Sequence, residues 1–356
     1  MEAGLGKKKA QEGVLQEAGS QGTKAGLSLI LVNWNTKDLL LGLLKSLDPG
    51  HPSWKRPVEV IVVDNDSADG SVEAVQQAFP WVRLLPQSEN LGFAGGVNRG
   101  LEVAIHPWVC LVNSDVDASP EAFETLVEYA ETHPKAGVVG PKILNGDGSL
   151  QFSYRKFPSV WMQICLSFGF HRFAKISKIL NGERYGGQVF EHPRPVDYVS
   201  GCLFLIRREL LERIGGLDEG FFMYFEETDF CKRTWEAGFE VHYAPVSTFA
   251  HHAGASAKKA RKRTFLAFRR SQLRYMKMHR GWGAALMMRF AMILFLVIRI
   301  PAWAILSLWS GEKGRLSRSN LAVSLSALWD LMKPHAWIPP KTTLHRSASR
   351  HQECSH

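Results

Sequence analysis

Three short, unbroken apolar runs in the first third of the chain each end in a cluster of asparagine and aspartate. Residues 27–32 (LSLILV) lead into Asn33, Trp34 and Asn35, and residues 58–63 (VEVIVV) into Asp64, Asn65, Asp66 and Ser67. Residues 108–112 (WVCLV) lead into Asn113, Ser114 and Asp115. Residues 82–85 form a weaker strand candidate, and helical patterns cover 37–47, 71–79 and 95–105. Runs without polar alternation, separated by helices, predict an α/β fold whose mostly parallel central sheet is covered on both faces. In such sheets ligands sit beyond the carboxyl ends of the strands, at the point where strand order reverses. Asparagine and aspartate also make turns and helix caps, as Asp69, Gly70 and Ser71 are predicted to do. Three such clusters at one edge favour a site.

Residues 90–100 (NLGFAGGVNRG) open the third helix. They lack the G-x-G-x-x-G spacing of a dinucleotide fold and the Gly-Lys-Ser/Thr of a P-loop. Glycines there either bring backbone N–H groups close to a phosphate or sugar, or make a tight helix-packing turn. Asp115 and Asp117 follow a buried strand, and hard carboxylate oxygens suit Mg²⁺ or Mn²⁺ shared with substrate phosphates.

Further on, residues 201–206 read as a buried strand and 208–214 as a short helix. An aromatic run then leads to Glu226, Glu227 and Asp229 at the start of a helix over 228–237. Three acids there either complement the helix dipole or include a general base raised in pKa by burial and like charge. His251 and His252, after a strand over 239–243, are metal ligands, phosphate donors or surface residues.

Taken in order, VNWN, VVDNDSADGS, NLGFAGGVNRG, LVNSDVD, GGLDEGFFMYFEETDFCKR and HHAGAS resemble the family 2 glycosyltransferases. The similarity is greatest to the rhamnosyltransferase-like branch of bacterial cell-surface polysaccharide assembly, and it spans roughly residues 27–256. It implies a GT-A fold, a nucleotide-diphospho-sugar donor, a divalent metal (Mg²⁺ or Mn²⁺) and an inverting displacement. Asp64 then meets the nucleotide beside Val32 and Asn33, and the same clusters add Asn35 and Asp66. Asn90, Gly95, Gly96 and Asn98 would line the donor pocket. The first position of the family's D-x-D is Asn113 here, which leaves Asp115 as the metal-binding carboxylate and Asp117 as a secondary candidate. The family's Glu-Asp pair reads Glu226-Glu227, so the base falls on Glu227, with Glu226 and Asp229 as alternatives. His251 is the implied metal or diphosphate contact. A polyprenyl-diphosphate-linked saccharide is the implied acceptor, and a dTDP-rhamnose-like compound the implied donor.

The formal charge of +9 comes from 43 basic against 34 acidic residues. Ten of the basic residues, and no acid, lie within residues 258–280, leaving 33 against 34 elsewhere, a net of −1. This excludes a uniformly basic nucleic-acid-packaging chain. Residues 281–310 are apolar but interrupted by Arg289 and Arg299, about 80° apart on a helix. Pro301 is predicted to break or kink that helix. A helix lying in the membrane interface is the preferred expectation, with tryptophans near the headgroups and cations on anionic lipid. A single span and a hairpin buried on the catalytic domain are the alternatives. Leu321 begins another apolar helix, ending near Met332. The expected organisation is a flexible tail at 1–26, a catalytic domain at 27–257, membrane-associating helices at 258–333 and a tail at 334–356. The expected place is the cytoplasmic side of the membrane, with no secretory leader. Five scattered cysteines without a C-x-x-C pair suit a reducing compartment. Two other functions compete: a nucleic-acid-binding protein using the basic segment, and an inactive relative that only binds a nucleotide sugar. No nucleic-acid module accompanies the patch, so no nucleic-acid partner is expected.

Overall fold

The computed structural model describes residues 24–170, 185–252 and 261–333. The first half alternates strand and helix: β1 (Leu27–Asn33), α1 (Lys37–Ser46), β2 (Val58–Asp64), α2 (Ser71–Ala78), β3 (Arg83–Pro86), α3 (Gly92–Leu101) and β4 (Trp108–Asn113). A two-residue β5 (Val116–Asp117) precedes α4 (Pro120–Thr132) and β6 (Ala136–Asn145). Then come β7 (Leu150–Gln151), β8 (Tyr154–Arg155), α5 (Val160–Ser167), β9 (Arg194–Pro195), β10 (Tyr198–Val199) and β11 (Leu203–Arg207). The remaining elements are α6 (Arg208–Ile214), α7 (Glu226–Glu236), β12 (Glu240–His251), α8 (Arg261–Ser307) and α9 (Gly311–Met332).

The main sheet runs β3-β2-β1-β4-β11-β6-β12-β5. β1 to β4 are mutually parallel, whereas β11 is antiparallel to both its neighbours. The chain moves outward from β1 to β3 and returns to β4 on the other side of β1. The order therefore reverses at β1/β4, and Asn33, Asp64 and Asn113 end adjacent strands, Asn33 opposite Asp64 and Asn113 opposite Val32. Leu27, Leu29 and Leu31 pack on one face with Leu40 and Leu44 of α1 and Phe123 of α4. Ile30 and Leu111 pack on the other with Val97 of α3, Leu210 of α6 and Phe230 of α7. Coverage of both faces is why these strands carry no polar alternation.

The expected helix over 95–105 begins earlier, at Gly92, and ends at Leu101, because its glycines blur the apolar period. α7 takes in Glu226 and Glu227, so the acids form its first turn rather than preceding it. β12 runs past the expected residue 243, through a register shift between Ala244 and Thr248, and places His251 at its end. The C-terminal region departs furthest from expectation. α8 leaves helical geometry at Gly281 (φ 79°, ψ 176°), a conformation suited to glycine, and not at Pro301, through which helical dihedrals continue.

The ten-cation segment is not one cationic face. Arg269 is buried, Arg270 pairs with Asp330, and Arg274 makes two bonds to Asp218. Arg289 donates to the carbonyls of Leu331 and Lys333 at the end of α9, and Arg299 to those of Ser167 and Leu166 at the end of α5. Both therefore satisfy helix-end carbonyls instead of forming a solvent-facing polar edge. Lys258 and Lys259, the tail to residue 23 and the tail from residue 334 lie outside the described residues.

Candidate active site

The three strand ends are tied together by their own side chains. Asn33 Nδ2 donates to Asp64 Oδ2 (2.7 Å) and Ser67 Oγ (3.2 Å), and Thr36 Oγ1 donates to Asn33 Oδ1 (2.6 Å). Asp64 Oδ1 accepts from the Ser67 amide (2.9 Å), and Asn35 Oδ1 from the Ala68 amide (2.8 Å). Asn35 and Asp66 sit at positive φ (54° and 62°), a conformation their short polar side chains tolerate. Asp66 is exposed while Asp64 is buried at the switch point. Asp69 accepts from the first amides of two helices, Lys37 in α1 and Ser71 in α2, so the predicted cap serves both.

The glycine segment packs as tightly as the helix-packing alternative requires. A Cβ at Gly96 would stand 2.8 Å from Val32 Cγ1, and one at Gly92 would meet the Phe222 carbonyl oxygen. Asn90 Oδ1 accepts from the Gly92 amide (2.9 Å), turning the chain into α3. Asn98 is engaged with the protein: it bonds both the amide and the carbonyl of Leu217, and Glu219. Gly95 lies against Leu91. These residues hold α3 against the switch point and the Leu217–Phe222 loop.

Asp115 and Asp117 part company. Asp115 Oδ1 lies 3.1 Å from His251 Nε2, and its side chain is 14% exposed. Asp117 is 72% exposed and turns to His252 (2.7 Å). His251 Nδ1 lies 3.0 Å from Gln151 Oε1, a bond that orients the ring with Nε2 toward the Asp115 carboxylate. A nitrogen and a carboxylate oxygen at that separation can share a proton or a cation. Among the described residues no group of three or more His, Cys, Asp or Glu side chains is placed to share a metal. The trio Asp115, Asp117 and His251 is thus reduced to a pair.

Glu226 and Glu227 open α7 after Tyr224 and Phe225, both at positive φ (67° and 71°). Glu226 is 5% exposed; burial first, then the charge of Glu227, pushes its carboxyl well above the usual range. Glu227 is less enclosed, and burial raises it too, but the Arg155 guanidinium favours its ionised form. Among the described residues, one oxygen of each carboxyl has no hydrogen-bond partner. Gly201 stands against Glu227, where a Cβ would be 3.4 Å from that of the glutamate. The adjacent Cys202 is pushed up to about 11, mainly by burial but also by the charges of both Asp115 and Glu227. Asp115, which pairs with His251, and Glu227, which lies against Gly201, therefore both border the Gly201–Cys202 turn before β11.

The family model described as glycosyl transferase family 2 matches residues 28–215. The chain belongs to that family. It is a glycosyltransferase. A second model, the N-terminal domain of galactosyltransferase, matches residues 186–253, the half that carries Glu227 and His251. The transferase is 33% identical over 246 residues to the N-acetylglucosaminyl-diphospho-decaprenol L-rhamnosyltransferase of Mycobacterium tuberculosis, covering 65% of this chain and 78% of that one. It is 28% identical to rhamnosyltransferase WbbL of Escherichia coli K12, covering 70% and 91%. Its fold matches a Pyrobaculum calidifontis mannosyltransferase solved with GDP-Man and Mn²⁺, at TM-score 0.50 and 15% identity, over 91% and 94% of the chains. The expected GT-A architecture is the one observed.

Asp229, the third acid of the transferase's α7, is placed differently from the other two. It is fully buried, accepting from His279 Nε2 (2.7 Å) and Arg233 Nε (2.8 Å). Burial pushes its carboxyl up, yet the His279 bond and the Arg233 charge outweigh this and hold it below its ordinary range. A depressed carboxylate stabilises the fold above its unfolded pKa, and that contribution is lost as pH falls through the folded pKa. Asp229→Asn is expected to cost about 3–5 kcal/mol at neutral pH, because it orphans buried charge. Urea unfolding of the variant should also show a shallower acid loss of stability than the parent.

Three residues of this site carry no local motif. Arg155 and Gln151 sit in an unremarkable stretch, and Cys202 gains its place only through the β4–β11 pairing. The aromatic run before Glu226 was the one available signal that the acids would be desolvated.

Proposed function

We propose that the transferase moves a sugar, rhamnose by analogy with its relatives, from a nucleoside diphosphate to a hydroxyl of a polyprenyl-diphosphate-linked saccharide. The placement of Asp115, paired with His251, and of Glu227 beside the Gly201–Cys202 turn carries this reading. The relatives supply the substrate class: one is an N-acetylglucosaminyl-diphospho-decaprenol L-rhamnosyltransferase, and both transfer rhamnose.

The residues fit a divalent cation. Asp115 and His251 offer one oxygen and one nitrogen, and Mg²⁺ or Mn²⁺ completes such a sphere with water and phosphate oxygens. A metal bound there would stabilise the charge that leaves with the diphosphate. Asp64 and the Asn33 cluster, at the strand-order reversal, hold the nucleoside; Asn35, Asn113 and the backbone before α3 border it. Glu227 takes the proton of the acceptor hydroxyl as that oxygen attacks the anomeric carbon. Attack opposite the leaving group inverts the centre.

Residues 27–257 form the catalytic domain and 258–333 the membrane-associating part. Thr264–Ser307 is long and apolar enough to cross a membrane by length and composition. A place in the interface fits better, since the part before Gly281 packs on the catalytic domain. The part after it exposes Phe290, Val297, Ile305, Leu308 and Trp309. An anionic cytoplasmic leaflet would hold the transferase near its acceptor.

The test is release of nucleoside diphosphate from a panel of sugar nucleotides, with and without lipid-linked acceptor and chelator. Transfer should require both metal and acceptor. Asp115→Asn or His251→Ala should lower it about 10²–10³-fold, the scale of a lost electrostatic contact in a transition state. Asp117→Asn, being exposed, should stay within about twofold. Equal losses at Asp115 and Asp117 would contradict the two-residue metal site.

A further inference from the structure

Between α5 and α8 lies a buried guanidinium that meets no carboxylate among the described residues. Arg269 is 6% exposed, and its Nη1 donates to the amide oxygens of Gln163 (3.2 Å) and Gln272 (3.3 Å). Phe265, Phe268 and Phe295 surround it, their ring centroids 5.0–5.8 Å from the guanidinium carbon. Other enclosed arginines have stronger partners: Arg56 meets Glu124, Arg233 meets Asp229, and Arg274 meets Asp218. Burial first, and the like charge of Arg299 second, push Arg269 down to about 10. A cation in this position is costly, and an anion would relieve the cost.

The neighbouring amide points the same way. Gln163 is 3% exposed, and among the described residues its Nε2 has no acceptor. Its oxygen receives Arg269 and, at 3.5 Å, Gln272 Nε2, so turning the amide over would set N–H groups against donors. Among the described residues the cluster is therefore rich in donors and lacks a strong acceptor. Planar guanidinium donors match phosphate oxygens in geometry as well as charge.

Two features narrow the anion. Trp161, Leu166 and Phe168, on and just after α5, and Val297 and Ile298 on α8 are exposed apolar side chains on the same helices, suited to a hydrocarbon chain. Next to Arg269, Phe268 packs on the rings of Tyr224 (5.6 Å) and Phe225 (5.2 Å), and Ser271 donates to the Met223 carbonyl (2.9 Å). Those three residues run directly into Glu226 and Glu227. An amphiphile whose diphosphate sits at Arg269 thus lies beside the segment that carries the base.

We propose that Arg269 and Gln163 bind the diphosphate of the lipid-linked acceptor, presenting its attached sugar to Glu227. This rests on the function proposed above. Farnesyl diphosphate and farnesol are the probes, with full-length parent, Arg269→Gln and Gln163→Leu. The parent should bind farnesyl diphosphate about tenfold or more tighter than farnesol, and each variant should lose about that factor, the scale of one charge-assisted hydrogen bond. Gln163→Leu keeps the approximate volume and the Arg269 charge while removing the Gln163 amide, both its free donor and the oxygen that Arg269 uses, so it remains informative where Arg269→Gln fails to fold. Equal affinity of the parent for the two probes, or unchanged binding in a folded variant, overturns the proposal. So does weakened binding of both variants to phosphatidylglycerol vesicles with farnesyl diphosphate binding intact, which would assign the cluster to membrane headgroups. Binding is read without turnover. A parent that discriminates the two probes yet transfers to no lipid-linked acceptor would contradict the proposed function and leave the diphosphate site standing.

Discussion

Glu227→Gln is expected to lower transfer by about 10²–10⁴-fold, the usual contribution of a positioned general base, while nucleotide-sugar binding persists. The choice between the paired glutamates follows from their surroundings. Glu226 is the more enclosed, and the charge of Glu227 opposes its ionisation, so it retains its proton to higher pH. Glu227 has Arg155 to favour its anion and lies against the Gly201–Cys202 turn that also borders Asp115. Glu226→Gln should accordingly keep transfer within about tenfold of the parent. The pH profile gives an independent check. Because burial raises Glu227, the ionised base is present above a pKa higher than that of an ordinary glutamate, about 4.3. The acid limb of kcat/KM should fall in that elevated range and vanish in Glu227→Gln. Near-normal turnover in that variant, with the large loss appearing in Glu226→Gln, would move the base by one residue.

The switch-point half of the site was legible because its information is local. Leu27–Asn33, Val58–Asp64 and Trp108–Asn113 announce themselves as buried strands, and parallel pairing then sets Asn33 beside Asp64 and Asn113 beside Val32 at the same sheet edge. The Asp115–His251 pair was legible only in part. Asp115 and Asp117 look alike in sequence; the short edge strand β5 leaves Asp117 in solvent while Asp115 meets β12. Asn98 read as a donor contact because a glycine-rich helix start looks the same whether it faces a phosphate or a packed loop. Its bonds to Leu217 span the whole domain, and local pattern does not encode contacts of that range. The same holds for Asp229, whose partner His279 lies in a segment that sequence assigned to the membrane.

Removing residues 261–356 is expected to abolish folding of the catalytic loop, not merely to release the transferase from membranes. Phe221 and Phe225 share a core with Leu273, Tyr275, Met276 and Met288. Full burial of such side chains contributes about 1.5–3 kcal/mol each, and the truncated chain would expose both phenylalanines. Asp229 would lose His279, and Asp218 would lose Arg274. Breaking one buried pair alone costs about 3–5 kcal/mol. Tyr224 and Phe225 hold left-handed conformations that cost on the order of 1–3 kcal/mol each and persist only where packing enforces them. Against a typical net stability of about 5–15 kcal/mol these losses are decisive. A purely anchoring role predicts the opposite: a truncated protein that melts cooperatively and transfers sugar normally to a water-soluble acceptor. Circular dichroism melting, with transfer to such an acceptor in the absence of lipid, separates the two. A point variant sharpens the comparison. Tyr275→Ala leaves the exposed apolar face of α8 intact and hollows the shared core, at about 3–5 kcal/mol if it behaves as other large aromatic deletions do. Lost soluble activity with retained vesicle binding is the expected outcome. It would make the C-terminal helices part of the catalytic machinery, with membrane contact as a second task of the same residues.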